Sequence, residues 1–340
     1  MRCKDNLDRP IIAVLVTTIV AVCFGVNVLV GAFGTTKKMD GFLSLVVYVF
    51  LFYMVCMCVK EKDVKLFLYG MYSVAVLSSI YGICQMHGIG PYIDRWNAAV
   101  VLHPNSTFGN VAFFSAYMAM TVPLLLHSVF KSKWLIPVLV LVLYTLFECG
   151  QRAAVVAFAV SLIYFACMYR KEIVKRTAFG ILCIMGLSVI CLHDTLIRKF
   201  LGGSQIRIDM AVFGWQIILD HFWTGIGPDN LVLVWKQYSG FARNQGSLHN
   251  EVLDVFAETG VFGLCAWLYF LISYFRIVWK NRSSEIVVAL SSAVVAYLVQ
   301  NQFSYSTMPL VLTFWVLIGL TLVAIKKEDS EFKRHGIDYY

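Results

Sequence analysis

Long apolar runs, broken only by short charged connectors, make up most of this chain. A helix needs roughly 20 predominantly apolar residues to cross about 30 Å of hydrocarbon. A backbone inside the bilayer must satisfy its own polar groups, which leaves helices or closed barrels as spanning structures. Ten runs of near-helical length and almost no charge stand at about 10–33, 41–59, 66–86, 109–130, 134–149, 152–168, 178–192, 249–272, 285–304 and 309–326, those at 134 and 178 being the shortest. With 59% hydrophobic and 14% charged residues, the chain of 340 is too apolar for a water-soluble globule. The expected fold is therefore all-α: a polytopic membrane protein, a single transmembrane domain over 1–340 with about ten spans. The first run exceeds a signal-peptide core and lacks a small-x-small site after it, so it is read as a retained helix.

Lys and Arg accumulate in cytoplasmic loops. With the N-terminus inside, 19 of the 28 fall on that side, in the segments holding Arg2, Lys60, Lys131, Arg170, Arg276 and Lys326. Both termini are thus expected in the cytoplasm. The net charge of +8 reads as this topology signal; no loop carries the basic, aromatic-interleaved stripe of a nucleic-acid binder. Ten cysteines lie scattered mostly through the spans, without ligand spacing for zinc or a disulfide framework.

Two external connections are longer than a bundle needs. The first, 87–110, is rich in Gly, Pro and Asn. The second, 193–248, is long enough for a substructure with short amphipathic helices. Within it, Ile206, Met210, Phe213 and Ile217 recur at helical spacing, a stripe suited to a helix lying on the bilayer surface. Arg207 lies off that stripe, with the small residues Ala211 and Gly214 one and two turns on, leaving room beside it; it either snorkels to lipid phosphates or holds a ligand. The segment HFWTGIGPDN at 221–230 reads as a tight turn. Arg152 sits at the outer boundary between the fifth and sixth runs, beside Glu148 and Gln151, as a membrane-edge anchor, an ion-pair partner or a ligand contact.

The segment SLHNEVLDVFAETGVFGL, 247–264, opens the eighth span with polar residues. Running inward at 1.5 Å per residue, a regular helix puts Glu258 about 13 Å deeper than His249 and on another face. Glu251 and Glu258 share a face, and Asp254 stands four residues before Glu258. An acid at that depth is expected to bond a neighbouring helix or to stay protonated. A lone His at a helix start is commonly a structural hydrogen bonder. Its ordinary pKa also suits proton transfer near neutrality, and two external arginines accompany it here.

These motifs resemble the bacterial O-antigen ligase and polymerase superfamily, multi-span glycosyltransferases that use polyprenyl-diphosphate-linked sugars. HNEVLDVFAETGVFGL is similar to the family's His-Asn start, acid and Gly-x-x-Gly run, at His249, Asn250, Glu258, Gly260 and Gly263. RIDMAVFGWQIILDHFWTGIGPDN resembles the preceding segment, through Arg207, Trp215, Gly225, Gly227 and Pro228. CGQRAAVVAF is similar to the family's Ser-Arg element, with Gln151 in place of Ser before Arg152, and Gly109, Asn110 and Pro123 resemble its Gly-Asn span opening. Together these cover roughly 105–265.

The resemblance implies a C-type glycosyltransferase fold in the bacterial cytoplasmic membrane, an outward-facing site and chemistry without metal or other cofactor. It implies polyprenyl-diphosphate oligosaccharide as donor, a glycan acceptor, and work alongside the bilayer, a flippase and a chain-length regulator in polysaccharide, capsule or exopolysaccharide synthesis. Arg152 and Arg207 would bind the diphosphate, His249 would act as base and Asn250 would orient it or the acceptor. Glu258, Gly225, Gly227, Gly260 and Gly263 would be structural. A polymerase is the favoured reading, with a ligase or protein oligosaccharyltransferase using the same donor as alternatives. A transporter or flippase is the rival from another class; it calls for internal repeats and discontinuous helices.

Overall fold

A computed structural model describes residues 7–36, 38–89, 103–169, 204–239, 245–305 and 307–335, together with 172, 176, 179 and 180. Among the described residues every regular element is helical. The α-helices are α1 (Asp8–Phe24), α2 (Val28–Phe33), α3 (Phe42–Cys58), α4 (Val64–Met86), α5 (Val111–Val129), α6 (Ile136–Glu148), α7 (Arg152–Met168), α8 (Ser204–Asp220), α9 (Leu231–Ser239), α10 (Glu251–Lys280), α11 (Glu285–Gln300) and α12 (Met308–His335). Four segments, Glu61–Met86, Val111–Val129, Glu251–Lys280 and Met308–Ile325, are long and apolar enough to cross a membrane. Phe42–Cys58, Arg152–Met168 and Glu285–Gln300 are shorter apolar helices. The run at 178–192 lies outside the described residues apart from 179 and 180.

The chain divides into two compact units. One comprises Tyr53–Cys183, Lys280–Gln300 and Pro309–Tyr340. Its axis is α5, buried at every residue from Phe113 to His127. The neighbours that close on it, α7 and α11, are rich in Ala, Ser and Val, so backbones approach closely where lipid offers no hydrophobic advantage to separation. Hydroxyls buried in this packing are satisfied along their own helices: Thr121 donates to the Tyr117 carbonyl at 2.8 Å and Ser292 to that of Val288 at 2.7 Å. Ties between helices are few and specific. Tyr72 of α4 donates to the Leu124 carbonyl of α5 at 2.8 Å. The Tyr169 hydroxyl, just past α7, lies 2.8 Å from His127 Nδ1 and donates to Glu285 of α11 at 3.2 Å. Asn110 caps α5, accepting from Ala112 N–H at 2.8 Å, after Gly109 turns the chain with φ +71°.

The other unit comprises Met1–Phe52, Ile184–Trp279 and Asn301–Met308. Here the structure departs from the reading of the first apolar run as one helix. The run breaks at Gly25–Asn27, and Asn27 starts α2 by accepting from Val30 N–H at 3.1 Å. A second break lies within α10, at Gly260, where φ is 66° and ψ −172°. Both breaks meet one loop. Val26 N–H donates to the Ile226 carbonyl at 2.8 Å; Ile226 N–H donates to Ala257 and Gly227 N–H to Glu258, each at 2.9 Å; Val261 N–H donates to Phe222 at 2.9 Å. The loop thus takes up backbone groups that the interruptions release, as a low-dielectric setting requires. A side chain on Gly25 would bring its Cβ to 2.7 Å from the Ile226 carbonyl oxygen, and one on Gly225 would run into the Glu258–Thr259 peptide.

The sequence expectation for α8 also needs correction. Met210 and Ile217 are buried and Phe213 is packed against the core formed with Ile218, Ile226, Leu231, Val234, Trp235, Leu248 and Ala257. These members of the expected stripe therefore face protein, whereas Ile208, Val212, Trp215 and Leu219 are exposed. Helix α8 is apolar on two faces, so a single stripe did not reveal which one turns inward.

Candidate active site

The polar start of α10 is built from its carboxylates outward. Asn250 is the N-cap, its side-chain oxygen accepting from Leu253 N–H at 3.0 Å. Helix α10 begins at Glu251, so His249 precedes it and does not begin the span as expected from the apolar run. His249 adopts a left-handed backbone, φ +57°, a conformation disfavoured for most non-glycine residues. Asp254, one turn into the helix, accepts from the Ser247 hydroxyl at 2.6 Å and from Leu248 N–H at 2.7 Å. Ser247 Oγ in turn accepts from His249 N–H at 2.9 Å.

The loop after α11 closes another side. Asn250 donates through Nδ2 to the Gln302 carbonyl at 3.1 Å, and Glu251 N–H donates to Asn301 at 2.9 Å. The Tyr305 ring meets the His249 imidazole edge-on, with centroids 5.2 Å apart. His249 remains partly exposed between these contacts, while Ser247 and Asp254 are buried.

Glu258 has a partner that the sequence reading missed. Lys38, from the connection between α2 and α3, places Nζ 3.8 Å from Glu258 and 3.4 Å from Asp40. Burial alone would lower the Lys38 pKa, but Glu258, Asp40, Asp254 and Asp229 together raise it well above the ordinary lysine value, so the side chain is cationic. The same connection is fastened to the 225–230 loop, where Asp229 accepts from Thr35 N–H at 2.6 Å and from its hydroxyl at 2.8 Å. Glu258 thus acts within a charged junction. The sole sequence hint was a lysine pair in a short connection between two apolar runs.

Arg207 lies within α8. Gly214, two turns further along that helix, packs where a Cβ would stand 2.6 Å from Leu248. The space expected beside Arg207 at Gly214 is therefore occupied by protein: the glycine lets α8 close on the residue before His249.

Arg152 belongs to the other unit. It is the first residue of α7 and is exposed, following the tight turn at Cys149–Gln151. His103 covers that turn: its Nδ1 lies 2.9 Å from the Glu148 carbonyl oxygen, and Gly150, φ +60°, leaves room for the imidazole. Cys149 Sγ donates to the Pro104 carbonyl at 3.6 Å. Residues 103 and 104 are thus held against the turn that leads into α7.

Gly260 and Gly225 have the positive φ that each turn requires, as does Gly227, φ +91°. Gly263 is different: it lies in the helix beyond the break, and a Cβ there would overlap Thr259, whose hydroxyl donates to Val255 at 2.6 Å.

A bundle of apolar helices, two of them interrupted at one glycine loop, with a polar junction at the head of a spanning helix, defines a helical membrane protein carrying a built polar site. Residues 137–268, from α6 into α10, match the family model described as O-Antigen ligase, which supports the O-antigen ligase and polymerase superfamily for this protein. The match spans Arg152, Arg207 and His249. No curated protein matches the chain significantly.

Proposed function

We propose that this protein is a polysaccharide polymerase of the cytoplasmic membrane. It transfers a glycan from a polyprenyl-diphosphate oligosaccharide to a sugar hydroxyl of an acceptor oligosaccharide at the outer face, within a C-type fold of about ten spans. The observation that carries the reading is the mounting of His249. It stands outside the helix, partly exposed, on a turn fixed by buried hydrogen bonds and within the segment matched to the O-antigen ligase family.

Neutral His249 takes the proton of the acceptor hydroxyl as that oxygen bonds to the anomeric carbon. The bond from that carbon to the diphosphate oxygen breaks, its electron pair leaving with the polyprenyl diphosphate. Attack opposite the leaving group inverts the anomeric centre. Negative charge builds on the departing oxygens, and the planar, permanently charged guanidinium groups of Arg152 and Arg207 are suited to hold them. Asn250 supports the His249 turn through its cap.

Interrupted helices also occur in transporters, where released backbone groups meet the cargo. Here Ala257 and Glu258 carbonyls are bonded to Ile226 and Gly227, which favours a structural interruption. Purified protein in lipid nanodiscs, given the lipid-linked oligosaccharide pool extracted from cells lacking this gene, is expected to produce longer glycans and to do so in the presence of a chelator. In sealed vesicles, translocation of that pool without elongation would refute the reading and support the transporter. Transfer of the glycan only to a lipid core or to protein would assign the ligase or oligosaccharyltransferase activity instead.

A further inference from the structure

We infer that Asp254 is a positioning residue for His249, acting through Ser247; the inference rests on the proposed role of His249 as the base. The family resemblance singled out Glu258 as the acid of this segment, yet Glu258 is engaged at the Lys38 junction. Asp254 instead has both carboxylate oxygens committed to the turn that carries His249: Oδ2 to the Ser247 hydroxyl at 2.6 Å and Oδ1 to Leu248 N–H at 2.7 Å. Ser247 passes this fixation on, its oxygen accepting from His249 N–H at 2.9 Å. Three consecutive residues are thereby anchored to the first turn of α10.

The need for such an anchor is visible in the backbone. A β-carbon-bearing residue at φ +57° is held there by its surroundings, and Leu248, locked against Gly214 of α8, fixes the residue before it. The imidazole then extends from a rigid turn, with the Tyr305 ring limiting its swing. A base displaced by about 1 Å can lose roughly 100-fold in rate even when the substrate still binds. The carboxylate makes its hydrogen bonds to backbone and hydroxyl, and Asp254→Asn separates this geometric role from the effect of its charge on Lys38.

The test uses the full chain in nanodiscs and the same extracted lipid-linked oligosaccharide pool. Ser247→Ala and Asp254→Ala are expected to lower kcat about 100-fold with little change in donor KM. Ser247→Thr, which retains the hydroxyl, should recover most of the rate. Asp254→Asn should recover it as well, since its oxygen can accept from Leu248 N–H while its amide donates to Ser247 Oγ; its pH–rate profile should keep the wild-type acid limb. Wild-type kcat in both alanine variants, with His249→Ala inactive, would overturn the positioning role alone. An inactive Asp254→Asn that elutes as a folded protein would also overturn it, because a charge or proton would then be required. Full activity in His249→Ala would instead remove the reading on which the inference stands. Should Asp254→Ala fail to fold, the Ser247 pair decides.

Discussion

Gly227 donates its backbone N–H to the carbonyl of Glu258 at 2.9 Å, across 31 positions of sequence. This bond belongs to a set by which one glycine loop joins the two interrupted helices and sets the level at which Glu258 meets Lys38. The loop therefore underlies both the fold of its unit and the geometry beneath His249.

Replacing Gly260 should be correspondingly costly. Its φ and ψ lie in a region that is essentially restricted to glycine, and an added Cβ would strike the Trp223 carbonyl. Gly260→Ala is expected to cost about 3 kcal/mol or more, read as a large fall in thermal midpoint in detergent. Gly70→Ala is the control: it lies within α4 with no atom within 4 Å of the added Cβ, and should be neutral or stabilising by up to about 1 kcal/mol. Similar midpoints for the two variants would refute the role of the break.

The Lys38 junction predicts a characteristic cycle. Lys38→Met leaves the largely buried Glu258 and the partly exposed Asp40 without their cation, at a cost of up to about 3 kcal/mol. Adding Glu258→Gln should recover part of the loss, because one uncompensated charge is removed. Thermal unfolding of both single variants and the double variant checks this; strictly additive losses would mean that the two side chains do not interact.

The exposed side of α8 and the turn that follows it should meet lipid. Trp215 is 52% exposed and Trp223 63% exposed, and the Trp223 ring lies 5.8 Å from that of Phe262 on the spanning helix α10. Lipids brominated on their acyl chains should quench part of the tryptophan fluorescence, and Trp215→Phe with Trp223→Phe should reduce the quenched fraction. An unchanged fraction would place this side away from the hydrocarbon.

Arg207→Lys tests the diphosphate contact. A lysine retains the charge but loses the planar fork, so transfer should fall by about tenfold or more while the protein stays folded. Wild-type kinetics would show that the fork is not used.

The helices in this protein were largely legible because apolar runs between charged connectors have few other solutions in a bilayer. Their interruptions were not. No charge or proline marks the break at 25–27, and Gly260 becomes a break only because the distant residues Phe222, Ile226 and Gly227 bond to the backbone around it. The need of Glu258 for a partner followed from sequence, but Lys38 sits 220 positions away in a connection without periodicity. His249 and Asn250 stood out through their neighbours. The role of Asp254 depends on two residues that precede the helix, Ser247 and Leu248, which a wheel drawn for a regular helix starting at 249 leaves out.

If His249 supplies the base for glycosyl transfer, single-turnover kinetics of His249→Ala will show it. With the lipid-linked oligosaccharide pool bound to folded protein in nanodiscs, the variant should retain donor as the wild type does and form no elongated glycan over the period in which the wild type completes one turnover. Elongation at the wild-type rate would contradict that role.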